Sequence, residues 1–167
     1  MRGSFLVSMG AIRRMFLLLL LAIAFVSLTS NVYGQTKQKG DDSEKPRYSE
    51  YKGVKIGTSL AEARQKLGKP DDENKVQETF TVSEKESVRV FFNNEEKVNA
   101  IIVTYIGKSS GAPAPEDVLG EKVEAKPDGS MYKMVQYPKS GFWIAYSRTP
   151  GDDPLIMITI QKMQVAN

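Results

Sequence analysis

The chain has 167 residues, enough for one domain of ordinary size, and contains neither cysteine nor histidine. Their absence excludes disulfide cross-links and the lipid-bearing cysteine of bacterial lipoproteins, and removes the commonest general base near neutral pH and the commonest metal ligand. The formal net charge of +3 (23 Lys plus Arg against 20 Asp plus Glu) comes from Arg2, Arg13 and Arg14; without them the balance is 20 (23 − 3) against 20, so bulk charge offers no argument for nucleic-acid binding.

Those three arginines open a segment with the plan of a secretory signal peptide. A positive start is followed by "MFLLLLLAIAFV", Met15 to Val26, and then by a polar stretch ending "VYG". Small or short residues at Val32 and Gly34 suit cleavage before Gln35, which predicts a signal peptide over 1–34. Twelve helical residues reach only ~18 Å, short of the ~30 Å hydrocarbon core, so a retained membrane anchor is not expected. Export to the periplasm or the medium is, with a position peripheral to the outer membrane as one form of it. Residues 35–47, "QTKQKGDDSEKPR", lack large apolar side chains and read as a flexible leader.

Folding is expected from Tyr48, where "YSEYKGVKIG" offers Tyr48, Tyr51, Val54 and Ile56 for burial in a short extended segment. "GTSLAEARQKLGKP", 57–70, carries the signals of a short helix. Ser59 and Glu62 have the spacing of a capping box, and Leu60, Ala63 and Leu67 make one apolar stripe. Arg64, Gln65 and Lys66 fall on the remaining surface, Gly68 suits a left-handed stop, and Pro70 prevents continuation. So short a helix needs a sheet to lie on. Three β-rich runs supply one: "ETFTV", "SVRVFF" and "VNAIIVTYI", joined by "SEKE" and "NNEEK" at hairpin spacing. The order then recurs. "APAPEDVLGEK" resembles a shorter capped helix, Leu119-Gly120 follows Leu67-Gly68 by 52 positions, and "MYKMVQY", "FWIAYS" and "LIMITIQKM" come next. The expected fold is α+β, with short helices on one face of an antiparallel sheet of about six strands. Two degenerate helix–three-strand repeats would form halves 48–110 and 111–167 of one domain.

Residues Gly57, Ser59, Glu62, Leu67, Gly68 and Pro70 resemble the motif of the SmpA/OmlA (BamE-type) outer-membrane lipoproteins and of related β-lactamase-inhibitor-protein-like (BLIP-like) modules. The resemblance covers about fifteen residues and implies a non-enzymatic, envelope-exposed module that binds other proteins. Two departures stand beside it. The lipoproteins' cysteine is absent, and the apparent second copy suits the tandem inhibitor-like modules better than a single-copy assembly factor.

Candidate chemistry is sparse. Ser49–Lys52 and Ser130–Lys133 have Ser-x-x-Lys spacing, about as many matches as chance supplies, and the motifs that accompany such a pair are missing. The acids at Asp71–Glu73, Glu95–Glu96 and Asp152–Asp153 lack the spacing of a calcium loop and fall where turns are expected. No catalytic, cofactor-binding or metal-binding residue is assigned. The strands are more informative, because Val88, Val90 and Phe92 alternate with Arg89 and Phe91, and Phe142, Ile144 and Tyr146 with Trp143 and Ala145. The first sets suit packing under the helices. The second sets place Arg89, Phe91 and the single tryptophan, Trp143, on a face that should otherwise be polar, together with Tyr105 and Ile158 of the last strands. That face is the candidate interaction surface for an envelope or secreted protein. Alternatives are a small apolar or cell-wall ligand, or an enzyme inhibited by this chain.

Overall fold

The computed structural model describes residues 45–164 apart from Ser109, within a single compact unit, Lys39–Asn167. The expected signal peptide and most of the leader lie outside the described residues. Strands β1 (Glu50–Tyr51) and β2 (Val54–Lys55) pair as a tight hairpin ahead of helix α1 (Leu60–Leu67). Strands β3 (Asp72–Glu73), β4 (Gln77–Ser83), β5 (Glu86–Phe92) and β6 (Val98–Ile106) follow. Helix α2 (Pro115–Leu119) then precedes β7 (Met131–Tyr137), β8 (Phe142–Arg148) and β9 (Leu155–Lys162).

Strands β3 to β9 form one antiparallel sheet in the order β3-β4-β5-β6-β9-β8-β7. Each meander of three long strands therefore ends at the middle, where β6 and β9 pair over seven residues from Ala100↔Gln161 to Ile106↔Leu155. The fold is α+β and strongly sheet-rich. Against an expectation of about six strands there is a seventh, β3, because "DDE" does more than turn. Asp72 and Glu73 pair with Thr79 and Glu78, and the Asp71 carboxylate accepts the Thr81 N–H.

Alternation along the strands sorts the side chains onto two faces. On one, Phe80, Val88, Val103, Ile158 and Tyr146 stand in register across five strands, and Val90, Ile101, Ile160 and Ile144 form the next row. All of these are buried, together with Val54 of β2, Ala63 of α1, and Val118 and Leu119 of α2. The hairpin and both helices thus cover this face and complete its core.

Both helices stop on glycine. Gly68 (φ 92°) and Gly120 (φ 78°) each donate their N–H four residues back, to Arg64 O at 2.8 Å and Glu116 O at 3.0 Å. Their positive φ is costly for any residue with a Cβ. Gly120 is left-handed as that motif requires, whereas Gly68 (ψ −160°) is not, so the expected left-handed stop at 68 is replaced by a more extended turn.

Only half of the expected capping box forms. Ser59 Oγ accepts the Glu62 N–H at 3.3 Å, but the Glu62 carboxylate turns to Lys66 Nζ at 2.7 Å. The lysine holds that carboxyl below its usual range, first through the hydrogen bond and then through its charge. Arg64 also departs from the solvated role expected of it. It reaches across to Glu78 on β4, donating from Nε at 2.9 Å, and to Glu73 on β3 at 2.7 Å. Glu78 is only 2% exposed, so Arg64 neutralises a carboxylate inside the core face and pins α1 to the sheet edge. The hydrogen bond to Glu78 is the main cause that raises the Arg64 guanidinium above its ordinary pKa.

Candidate protein-interaction face

The opposite face is built from the residues one position out of phase with the core. One row across it reads Gln77, Phe91, Ala100, Gln161, Trp143 and Gln136; the next reads Thr79, Arg89, Ile102, Thr159, Ala145 and Met134. None of the described helices lies over these rows. A face with solvent beyond it should be polar. Here Phe91, Ile102, Trp143, Met134 and Met157 are partly buried yet keep some surface toward solvent, and Tyr132 is 62% exposed. Arg89 stands exposed near the centre, with no ion pair among the described residues.

Phe91 and Trp143 lie in the same row with β6 and β9 between them, a separation of about 14 Å at ~4.8 Å per strand. Ala100 and Gln161 occupy the register positions between them. Beside Phe91 the surface dips into an open cleft of about 830 Å³, lined among others by Val76, Asn99, Ala100, Ile102 and Gln161. A bulge between Phe91 and Phe92 shapes this end, because it shifts the pairing with β6 and leaves Asn99 without a direct partner on β5.

Three of the five expected surface residues, Arg89, Phe91 and Trp143, share this face. Tyr105 and Ile158 do not, which corrects the sequence expectation: they are 5% and 0% exposed and belong to the helix-covered core. Register explains the difference. Ile158 pairs with Val103 and Tyr146, and Tyr105 pairs with Glu86, all in phase with the core rows. Sequence reasoning also missed Ile102, Met157, Thr159, Met134 and Tyr132 on the open face.

Tyr105 instead joins a second polar centre on the core side, with Tyr48, Tyr51 and Glu86. The Tyr51 hydroxyl donates to Glu86 Oε1 at 2.7 Å, and Tyr105 hydrogen-bonds with Tyr48 and Glu86. Burial, followed by the hydrogen bond to this carboxylate, pushes the Tyr51 phenol far above its ordinary pKa. Burial does the same to Tyr105, helped by the charge of Glu86 and the neighbouring Tyr48. The cluster ties the chain entering the domain to the sheet.

Neither Ser-x-x-Lys pair is assembled as a reacting pair. Lys133 Nζ engages Glu121 at 2.8 Å while Ser130 closes a turn on Asp128, and Lys52 lies over the Tyr51 ring at 5.9 Å. Among the described residues no group of three or more acidic, histidine or cysteine side chains is placed to hold a metal. None of their helices is long and apolar enough to cross a membrane, a statement that does not bear on strands. Comparison with family models, with curated proteins and with solved structures finds no match.

Proposed function

We propose that this chain is an exported bacterial envelope protein that binds another protein through the open sheet face and catalyses no reaction. The observation that carries the reading is the one-sided cover: two helices and a hairpin bury one face, and the other keeps Phe91, Ile102, Met134, Trp143 and Arg89 within reach of solvent. Aromatic residues, methionine and arginine are the types enriched where proteins meet. The signal-peptide pattern of residues 1–34 supports export, and the resemblance of residues 57–70 to the SmpA/OmlA (BamE-type) motif supports an assembly role. The order of helix then three-strand meander, given twice and joined at β6–β9, supports an internal duplication.

Trp143 is the single tryptophan and lies on this face, so its fluorescence reports occupancy directly. Residues 35–167 are to be used as bait on envelope extract, with captured proteins identified by mass spectrometry. Trp143→Ala is expected to abolish specific capture while the melting temperature falls by only a few degrees. A fall of more than ~10 °C would instead make Trp143 part of the core and remove the basis of the reading.

A second reading, a small apolar or cell-wall ligand, is favoured by the cleft beside Phe91. It predicts thermal stabilisation by low-molecular-weight fractions of the same extract, since a ligand that binds only the folded state raises its stability.

A further inference from the structure

The two edges of the sheet are unlike. At the β4 edge, β3 adds two paired residues, Asp71 takes the Thr81 N–H, and Asn74 Oδ1 takes the N–H groups of Val76 and Gln77. That edge is closed by short acidic chain, a usual protection against unwanted pairing. At the other edge β7 pairs only with β8, in unbroken register from Met131↔Arg148 to Tyr137↔Phe142. It has no bulge and no proline, and its one charged residue, Lys133, is neutralised by Glu121 at 2.8 Å. Tyr137 O accepts the Gly141 N–H and so points toward β8. By alternation the main-chain groups of Tyr132, Met134 and Gln136 point away from it. Among the described residues no loop donates or accepts a backbone hydrogen bond there.

We infer that β7 is a docking edge for an extended segment of another polypeptide, which adds to the sheet as a further antiparallel or parallel strand. This deepens the protein-binding reading and rests on it. An extended segment is the occupant that the edge fits. Seven residues span about 23 Å, and a rigid contact of that length between two folded copies falls well short of the ~1,600 Å² that a standard stable interface buries. An unfolded segment gains the same main-chain ladder and also lays its side chains on both faces. On the open face those side chains meet Tyr132, Met134 and Gln136, and Gln136 is the register partner of Trp143, so docking reaches the tryptophan. On the core side they meet Lys133 and Val135. The neighbouring side chains are aromatic, apolar or uncharged, apart from the paired Lys133, which suits a segment of β-branched and small polar residues. Recognition through the main chain tolerates many such sequences.

The test uses residues 35–167 and the peptide acetyl-Thr-Val-Thr-Val-Thr-Val-Thr-amide, with an alternately N-methylated form as control. Amide hydrogen exchange by NMR is expected to slow at Tyr132, Met134 and Gln136 with the first peptide and not with the second, and Trp143 fluorescence is expected to shift. Met134→Pro removes an outward N–H without touching the β7–β8 ladder, and is expected to weaken binding by at least about tenfold at nearly unchanged melting temperature. Should that variant not fold, the methylated peptide still decides. No protection of β7 with peptide at ~1 mM, or equal binding of the methylated peptide, overturns the inference. Concentration-dependent dimerisation that protects the same amides without peptide overturns the assigned occupant. The open-face reading fails separately, if Trp143→Ala leaves capture of the envelope partner intact.

Discussion

Residues 158 and 159 are neighbours on the central strand β9 and belong to opposite worlds. Ile158 is fully buried between Val103 and Tyr146, under the helices; Thr159, between Ile102 and Ala145, faces away from them. The whole sheet repeats this contrast. Its strands are rich in apolar residues of both parities, so hydrophobicity alone does not mark the core, and what separates the two faces is where the helices and the β1–β2 hairpin can lie. The covered face holds the domain together. The uncovered one carries apolar groups over which no described helix lies, and the binding proposal rests on them.

The sharpest way to break that contrast is to truncate both neighbours. Ile158→Ala leaves a cavity in the covered face between Val103 and Tyr146 and is expected to lower stability by about 2–5 kcal/mol. Thr159→Ala is expected to stay within about 0.5 kcal/mol. Urea unfolding followed by circular dichroism measures both. Equal losses would mean that the second face is also covered, and the binding proposal would lose its footing.

The Arg64–Glu78 pair probes the edge of the covered face. Removing the arginine strands a carboxylate that is 2% exposed, whereas removing both charges leaves a neutral amide there, which costs less to bury unpaired than an ion. Arg64→Ala is therefore expected to lower the melting temperature clearly, and Arg64→Ala with Glu78→Gln to recover part of the loss. A double variant less stable than Arg64→Ala alone would show that Glu78 does not depend on its partner.

Much of this fold is legible in the sequence. The strands announce themselves by period-two patterns bounded by turn residues, and α1 by Ser59, the Leu60–Ala63–Leu67 stripe and Gly68. Phase is harder. "SVRVFF" and "FWIAYS" carry it plainly, because a charge or the tryptophan interrupts one parity, and Arg89, Phe91 and Trp143 lie on the same face in the structure. "VNAIIVTYI" is apolar on both parities, so Tyr105 has no readable phase until its pairing with Glu86 sets it. For Ile158 a signal was present: Ile156, Ile158 and Ile160 alternate, and three β-branched residues in one parity mark the packed side. The Arg64–Glu78 clamp was legible only in retrospect, as an acid in phase with Phe80. Asp71 to Glu73 gave no sign of β3, because two residues carry no periodicity.

The smallest effect at neutral pH lies where the entering chain meets the covered face. Tyr51 and Tyr105 are held neutral in the fold by burial and by Glu86, so their folded pKa values lie above the ~10 of an unfolded tyrosine. Below that value both states keep the proton and the contribution is fully present. As pH rises past ~10 the unfolded chain loses phenolic protons first, and stability falls. Between pH ~7 and ~9 the wild-type stability should be nearly flat with respect to these groups, then decline steeply toward pH ~11. Tyr51→Phe removes one such phenol and its 2.7 Å bond to Glu86. It should cost a little stability at pH ~7 and show a shallower alkaline decline than wild type. Urea titrations across this range, with phenolate absorbance read in parallel, would show it. A Tyr51→Phe curve parallel to wild type would mean that this phenol ionises as readily folded as unfolded, and that the cluster does not anchor the β1–β2 hairpin in the way its geometry suggests.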